Sequence, residues 1–323
     1  MKLKTVFTLV ATLTLFYACQ KVEEKQTTSQ SEELLNATET IRVENGMLAF
    51  PSKDGFLKTM AEWNEMGEDA SSRLLSKFNF DSYYNDTIVS KTIEITPDLL
   101  LQKVINNKGA LKINDTILVM TPSEDIIIKD GSLTTYEDVA NGKISGSNIE
   151  RKKVVNNLKM TQEISLTSST APNTWYGQNN YYSPEEVGNG RPERVRTTLY
   201  AQTRSAYASC GLRIKGEAYR RCGLWCVDWR ADEIVQVNVL PNSSYQVNFF
   251  TQNRVIPAGT IANREETTIF SFPSPGGTAP NGDNFGFQNL QVHLSYKKLH
   301  HNPTRTISLR VVNGILQAPS INW

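Results

Sequence analysis

Residues 172–323 alternate between apolar and polar side chains over most of their length. The alternating runs are separated by proline, asparagine and glycine, and they include Val195–Thr203, Leu212–Ala218, Val235–Val239, Tyr245–Phe249, Leu290–Leu294 and Ile307–Val311. A period of two indicates strands that bury one face. About eight such strands in succession, joined by turn residues, predict an all-β, sandwich-like domain.

Residues 41–132 have a mixed pattern, which predicts a small α+β domain. The Asn45–Gly46 pair is a tight-turn signal within a short hairpin. Apolar residues recur at helical spacing from Phe56 to Trp63 and from Leu99 to Ile105, so we expect helices there. Three short apolar runs that we expect to form strands follow at Leu111–Ile113, Thr116–Met120 and Ile126–Ile128.

Residues 133–171 are rich in asparagine, lysine, serine and threonine, with scattered aliphatic side chains. This composition predicts a linker with room for one added strand, and a domain boundary within it. The predicted fold is therefore an α+β domain (41–132) followed by an all-β, sandwich-like domain (172–323). A chain of 323 residues agrees with two domains of about 150 residues each.

Residues 1–18 have the layout of a secretory signal peptide. Lys2 and Lys4 precede an uncharged, mostly apolar run over residues 6–17, which is shorter than the ~20 residues of a spanning helix. Cys19 follows this run and a small alanine, and the arrangement resembles the lipobox of bacterial lipoproteins. The resemblance implies that Cys19 carries a lipid and becomes the mature N-terminus.

Residues 19–38 predict a flexible tether, because they are mostly polar and contain no aromatic side chain. Within the tether, Lys21–Glu24 resembles the lysine-plus-acid signal that sends Bacteroidetes lipoproteins to the outer face of the outer membrane. Ordinary solvated charge is the alternative interpretation. We therefore expect a protein that is anchored in the outer membrane by its N-terminal lipid and faces outward.

Basic and acidic side chains nearly balance, with 34 Lys and Arg against 33 Asp and Glu. The balance disfavours nucleic acid as a partner, because no basic excess is available to neutralise phosphates. After residue 17, no apolar run approaches the ~20 residues that a spanning helix needs. We expect a glycan or a surface protein as the partner, in addition to the membrane.

Three cysteines remain besides Cys19, namely Cys210, Cys222 and Cys226. Export places them in an oxidising compartment, where one disulfide and one spare thiol are expected. On one extended strand, Cys222 and Cys226 would lie about 13 Å apart, beyond disulfide reach. We therefore expect Cys210 to pair with one of the other two. A structural zinc site is the alternative, although a fourth ligand is not evident nearby.

Four aromatic residues lie in a glycine- and asparagine-rich stretch that predicts a loop: Trp175, Tyr176, Tyr181 and Tyr182. Exposed aromatic rings beside amide side chains can stack on sugar rings or anchor a protein partner. This stretch is therefore the predicted ligand-binding site. The alternative is an ordinary loop that packs on the edge of the sandwich.

No recognisable catalytic or metal-binding pattern occurs in the sequence. The histidines His293, His300 and His301 lack a metal-binding spacing, and there is no phosphate-binding loop, dinucleotide-binding glycine pattern or nucleophile elbow. We expect no cofactor, no metal and no catalytic residue. An enzyme whose site forms between the two domains stays open as an alternative.

Four segments share a pattern with one known family: Val43–Phe50, Leu101–Met120, Tyr207–Lys215 and Gly223–Trp225. They resemble an uncharacterised family of two-domain Bacteroidetes surface lipoproteins. The resemblance implies the surface location and the two-domain layout, and it brings no activity and no catalytic residue. The sequence therefore predicts a lipid-anchored binding or structural protein of the cell surface, with a glycan-binding accessory role as the first alternative.

Overall fold

A computed structural model describes residues 41–322 except 86–93, 144, 161–172, 176–177, 184, 189–190, 222–226, 232–233, 275–284 and 299–303. Val43–Trp323 folds as one compact unit. The described residues are mostly β-strand, with a few helices, and they form three sheets. The predicted signal peptide, Cys19 and the tether lie outside the described residues and stay predictions.

Sheet 1 has six strands in the order β1-β2-β3-β4-β5-β6. Its strands are β1 (Arg42–Glu44), β2 (Met47–Phe50), β3 (Ala110–Ile113), β4 (Thr116–Met120), β5 (Glu124–Ile128) and β6 (Ile149–Lys153). Asn45 and Gly46 both have positive φ, 52° and 74°, which confirms the predicted tight turn. Strands β2 and β3 are parallel, and the next pairs along the sheet are antiparallel.

Four α-helices occur among the described residues: α1 (Lys53–Glu65), α2 (Glu68–Leu75), α3 (Leu99–Val104) and α4 (Leu133–Ala140). A 3₁₀ turn covers Tyr83–Asn85. Helix α1 begins at the Ser52 cap, whose Oγ accepts from the Gly55 amide at 3.0 Å. It buries Phe56, Met60 and Trp63, so the helix predicted from their spacing is confirmed.

The structure describes the segment predicted to be a linker, 133–171, up to Met160 except residue 144. This segment carries α4 and one strand of each sheet: β6, β7 (Val155–Asn156) and β8 (Lys159–Met160). The scattered apolar residues explain this, because Tyr136 and Val139 pack in the core of sheet 1 and Leu158 packs in the core of the sandwich. Since Val43–Trp323 forms one unit, the division into two domains stays a prediction.

Sheets 2 and 3 face each other, so the predicted sandwich-like, β-rich fold is confirmed. Sheet 2 adds β9 (Asn173–Trp175), β10 (Gln178–Tyr182), β11 (Glu186–Gly188), β12 (Arg191–Thr203), β13 (Ala208–Arg221), β14 (Val227–Ala231) and β19 (Glu266–Pro273) to β7. Sheet 3 adds β15 (Val235–Val239), β16 (Ser244–Val247), β17 (Arg254–Val255), β18 (Gly259–Arg264), β20 (Phe287–Lys298), β21 (Arg305–Val312), β22 (Ile315–Leu316) and β23 (Ser320–Asn322) to β8.

One apolar core fills the space between these two sheets. Alternate residues of β12 and β13, such as Leu199 and Leu212, meet alternate residues of β20 and β21, such as Val292 and Leu309. Each of these four side chains is buried. The period of two seen in the sequence therefore marks the inner faces of both sheets.

The outer faces of the two sheets differ. Polar side chains alternate with apolar ones along β12 and β13, which is typical of strands with one solvent-exposed face. Arg196, Arg213 and Lys215 are nevertheless buried in the structure. Residues from the sheet 1 side cover them, including Glu94. On sheet 3, by contrast, Asn289, Gln291 and other outward side chains remain exposed. A ligand therefore has access to the outer face of sheet 3.

Candidate functional site

A groove of about 340 Å³ lies on the outer face of sheet 3, across β16, β20 and β21. Its polar lining consists of Ser244, Gln246, Asn253, Asn289, Gln291 and Arg310. We call this feature the amide groove. Five of these six polar side chains carry no net charge, and Arg310 is the sixth.

Strand register places these side chains in two rows. Ser244, Gln291 and Arg310 are cross-strand partners in the first row. Gln246 and Asn289 are partners in the second. Neighbouring strands lie about 4.8 Å apart, so each row presents polar groups at that spacing across the groove. Apolar residues between them, such as Leu290, face the core.

Hydrogen bonds hold the second row in place. The Asn289 Nδ2 donates to Gln246 Oε1 at 3.0 Å, and Gln246 Nε2 donates to the Phe250 carbonyl at 3.1 Å. An amide side chain has two donor hydrogens and an acceptor oxygen with two lone pairs. These bonds orient both amides. Asn289 keeps one N–H and one lone pair for a ligand, since its Oδ1 also accepts from the Asn313 backbone amide at 3.3 Å. Gln246 keeps a lone pair but no free N–H, because its Nε2 also donates to the Thr251 carbonyl at 3.4 Å.

His293 lies two residues beyond Gln291 on β20. The His293 ring lies 2.8 Å from Ser308 Oγ through Nδ1 and 3.0 Å from the Gln291 side-chain nitrogen through Nε2. Ser308 thus orients the His293 ring, and the ring orients the Gln291 side chain. Among the described residues, no group of three or more His, Cys, Asp or Glu could hold a metal ion. His300 and His301 lie outside the described residues.

Sheet 3 carries no acidic side chain. Residues 234–264 and 285–323 contain no Asp or Glu, and neither does β8. Arg310, on the groove, is exposed and has no carboxylate partner among the residues that the structure describes. The polar lining of the groove therefore consists of neutral side chains and one accessible cation, Arg310.

The loop between β16 and β17 borders the groove and holds a strained aromatic residue. The Phe250 amide donates to the Val247 carbonyl at 3.1 Å, which closes a turn. Phe249 is the third residue of this turn, has φ +73° and is 63 % exposed. A positive φ at that position favours glycine or asparagine, so an exposed phenylalanine there is strained. On the paired strand, Val255 is 76 % exposed.

The predicted aromatic site is not brought together in the described residues. The stretch is not one loop, because Asn173–Trp175 and Gln178–Tyr182 are strands of sheet 2. Tyr181 is 2 % exposed and packs in the sandwich core, where burial raises the pKa of its hydroxyl. Tyr182, its neighbour on the strand, points to the opposite face and lies 4.2 Å from the Arg194 guanidinium. Tyr176 lies outside the described residues.

The expected disulfide of Cys210 is wrong. Cys210 is a buried free thiol, and burial raises its pKa. Strand β13 runs unbroken from Ala208 to Arg221, so its far end lies about 36 Å from Cys210 at strand rise. Arg221 pairs with Val227 across the β13–β14 hairpin. Cys222 and Cys226 lie outside the described residues.

A buried charged cluster joins the sheet 1 side of the molecule to sheet 2. The Glu94 carboxylate accepts from Arg196 Nη2 at 2.7 Å, from Arg213 Nη1 at 2.8 Å and from Lys215 Nζ at 3.3 Å. Burial alone favours the neutral acid, but the three cations outweigh it and hold the pKa of Glu94 well below its usual range. Burial also lowers the pKa of Lys215 to about 8.

Further buried bonds reinforce this contact. Asp125 of β5 accepts from Arg204 Nη1 at 2.7 Å and from the Ser205 amide at 2.8 Å. Tyr207 donates to Asp98, the N-cap of α3, at 2.8 Å. These ionisable groups are buried and engaged with one another, as in a structural network. They therefore account for the packing of the unit and offer no accessible catalytic group.

No protein-family model matches the chain, and no curated protein matches it. The chain is similar to the crystal structure of a DUF4848 family protein from Bacteroides thetaiotaomicron VPI-5482, at 11% identity and a TM-score of 0.23. The match covers 84% of this chain and 100% of that one. A likeness at this level carries no inference about function.

Within the described residues, no helix is both long and apolar enough to cross a lipid bilayer. The amide groove was not predictable from local sequence patterns, because its residues come mainly from three strands that are separated along the chain. A signal was nevertheless present in the sequence. The absence of Asp and Glu from residues 234–264 and 285–323 sets this region apart from the rest of the chain.

Proposed function

We propose that this chain is a non-catalytic glycan-binding protein, and that the amide groove is its binding site. The observation that carries the proposal is the double row of outward polar side chains on an acid-free sheet. Sugars present many neutral hydroxyl groups, which act both as donors and as acceptors. Amide side chains match this chemistry, because each can donate and accept at the same time.

Two further observations support a ligand at this place. The amides are held by bonds to one another and to the loop backbone, which reduces the entropy lost on binding. The strained, exposed Phe249 belongs to the loop whose Asn253 lines the groove, and an aromatic ring in such a loop can stack on a sugar face. Strain of this kind concentrates at functional sites.

We also propose that the protein acts at the outer membrane, anchored by a lipid on Cys19. The support is the signal-like N-terminus with a cysteine directly after the apolar run. A Cys19→Ser variant should therefore lose lipid labelling and leave the membrane fraction. Retention of the variant in the membrane fraction would contradict the anchor.

The binding proposal is tested with the full chain, purified in detergent, against a panel of polysaccharides. We expect saturable binding to at least one of them, and a loss of about three- to tenfold in affinity for Asn289→Ala and for Gln291→Ala, as for lost neutral hydrogen bonds. Gln236→Ala is the matched control, because Gln236 is an exposed amide of sheet 3 that lies outside the groove.

Two outcomes would contradict the proposal. One is the absence of binding to every member of a broad panel by protein that is shown to be folded. The other is binding that Asn289→Ala and Gln291→Ala leave unchanged but Trp175→Ala removes. The second outcome would move the site to the aromatic stretch of sheet 2.

A further inference from the structure

We infer that the ligand of the amide groove is an acidic polysaccharide, and that Arg310 binds its anionic group. This inference rests on the proposed function and names the class of glycan. The anionic group is a carboxylate or a sulfate ester, since both match the fork of donors on a guanidinium group.

Among the described residues, the contacts of Arg310 differ from those of most other arginines. Most arginines whose contacts the structure describes bind a carboxylate, as do Arg151, Arg194, Arg196, Arg204, Arg213 and Arg264. Arg310 is exposed on the groove lining and has no such partner within the described ranges. Its guanidinium is therefore accessible to an anion from solution.

The charge of the surroundings also favours an anionic ligand. A carboxylate beside the groove would repel an anionic sugar, and none of the nine strands of sheet 3 contains Asp or Glu. Another cation of the sheet, Arg254, is not among the residues that line the groove, and it lies over the ring of Phe272, whose centroid is 4.4 Å from its guanidinium carbon. Arg310 is thus the cation best placed to bind an anion in the groove.

The position of Arg310 on β21 aligns it with the first polar row of the groove. Arg310 pairs directly with Gln291, which pairs with Ser244 on the next strand. The Arg310 carbonyl accepts from the Gln317 amide at 2.8 Å, which fixes this part of β21. A sugar whose acidic group lies on Arg310 therefore places its ring hydroxyls over Gln291 and Ser244.

The test compares matched pairs of polysaccharides that differ only in charge. Polygalacturonate and its methyl ester test the carboxylate, and dextran sulfate and dextran test the sulfate. With the full chain in detergent, we expect one acidic member to bind at least about tenfold more tightly than its neutral partner, as for a charge-assisted hydrogen bond. Arg310→Gln should bring binding of the acidic member down to the neutral level, and Arg310→Lys should restore part of it.

Lys297→Gln is the control, because it removes a cation of β20 that lies outside the groove. Equal binding of acidic and neutral members, sensitive to Asn289→Ala, would overturn this inference and leave the proposed function intact. Equal losses of affinity for the acidic polysaccharide in Arg310→Gln and Lys297→Gln would also overturn it, since they would indicate non-specific electrostatic attraction. Binding to no polysaccharide, neutral or acidic, would instead contradict the proposed function itself.

Discussion

Glu94 offers a strong test of how the unit is held together. Its carboxylate contacts Arg196, Arg213 and Lys215, and the cluster is completed by Glu217, which lies 3.3 Å from Arg196, and by Glu266. Glu94→Gln keeps the shape of the side chain but removes its charge. The three cations would then share the two remaining carboxylates in a buried site.

The expected cost is large. Removing one partner of a buried ion pair costs about 3–5 kcal/mol, because the remaining charge stays buried and uncompensated. Glu94 serves three cations, so we expect a value in that range, against a total stability of about 5–15 kcal/mol for a typical domain. For a unit of this size the melting temperature should fall by about 10 °C.

The assay is urea unfolding of the wild type and of Glu94→Gln, measured from pH 7 down to pH 3. The folded state holds the pKa of Glu94 well below the unfolded value. The stabilisation is therefore complete above about pH 4.5 and decreases as the pH falls further. The difference in unfolding free energy between the two proteins should shrink over the same range.

Glu150→Gln is the matched control. Hydrogen bonds from Lys129 and Lys152 also lower the pKa of Glu150, but this carboxylate is solvent-exposed. Exposed ion pairs contribute little to stability, so the control should unfold like the wild type. A loss below about 1 kcal/mol for Glu94→Gln at pH 7, or a difference that does not change with pH, would refute the reasoning.

Two further predictions concern Phe249 and the cysteines. Phe249→Gly should raise the free energy of unfolding in urea by up to about 1 kcal/mol, since relief of a positive φ outweighs the entropy cost of glycine. The same variant should bind glycan more weakly. A clear loss of stability would contradict the strained turn. Arg221 and Val227 pair across a hairpin, so we expect a Cys222–Cys226 disulfide. Trypsin should release the peptide Cys222–Arg230, whose mass before reduction should be lower by two hydrogens than its mass after reduction. A peptide linked to Cys210, or one with two free thiols, would contradict this disulfide.

Local features of the fold were predictable from the sequence. The Asn45–Gly46 turn, the helix that buries Phe56 and Trp63, and the strands of the sandwich follow from turn chemistry and periodicity. These signals are local, since each depends on residues within one element and on the water or core that it faces.

Features that depend on what covers a face were not predictable. Arg196 and Lys215 alternate with apolar residues as on a wet face, yet Glu94, more than one hundred positions earlier in the chain, lies over them. Tyr181 similarly follows a polar stretch but packs in the sandwich core. Alternation identifies two faces of a strand, but it does not show which partner buries the polar one.

The candidate site was also beyond local patterns, because Gln246, Asn289 and Arg310 meet only through the register of β16, β20 and β21. The acid-free composition of these strands was visible in the sequence, although it does not give the position of a groove. The predicted site at Trp175 and Tyr182 followed a rule about exposed loops, whereas the structure has strands there.

Hydroxyl-radical footprinting of the full chain, with and without a bound polysaccharide, tests the central claim most directly. Phe249 reports on the border of the amide groove, and Trp175 and Tyr182 report on the aromatic stretch of sheet 2. Binding in the groove predicts that saturating ligand protects Phe249 and leaves Tyr182 unchanged. Protection of Trp175 and Tyr182, with Phe249 as reactive as in the free protein, would contradict the account.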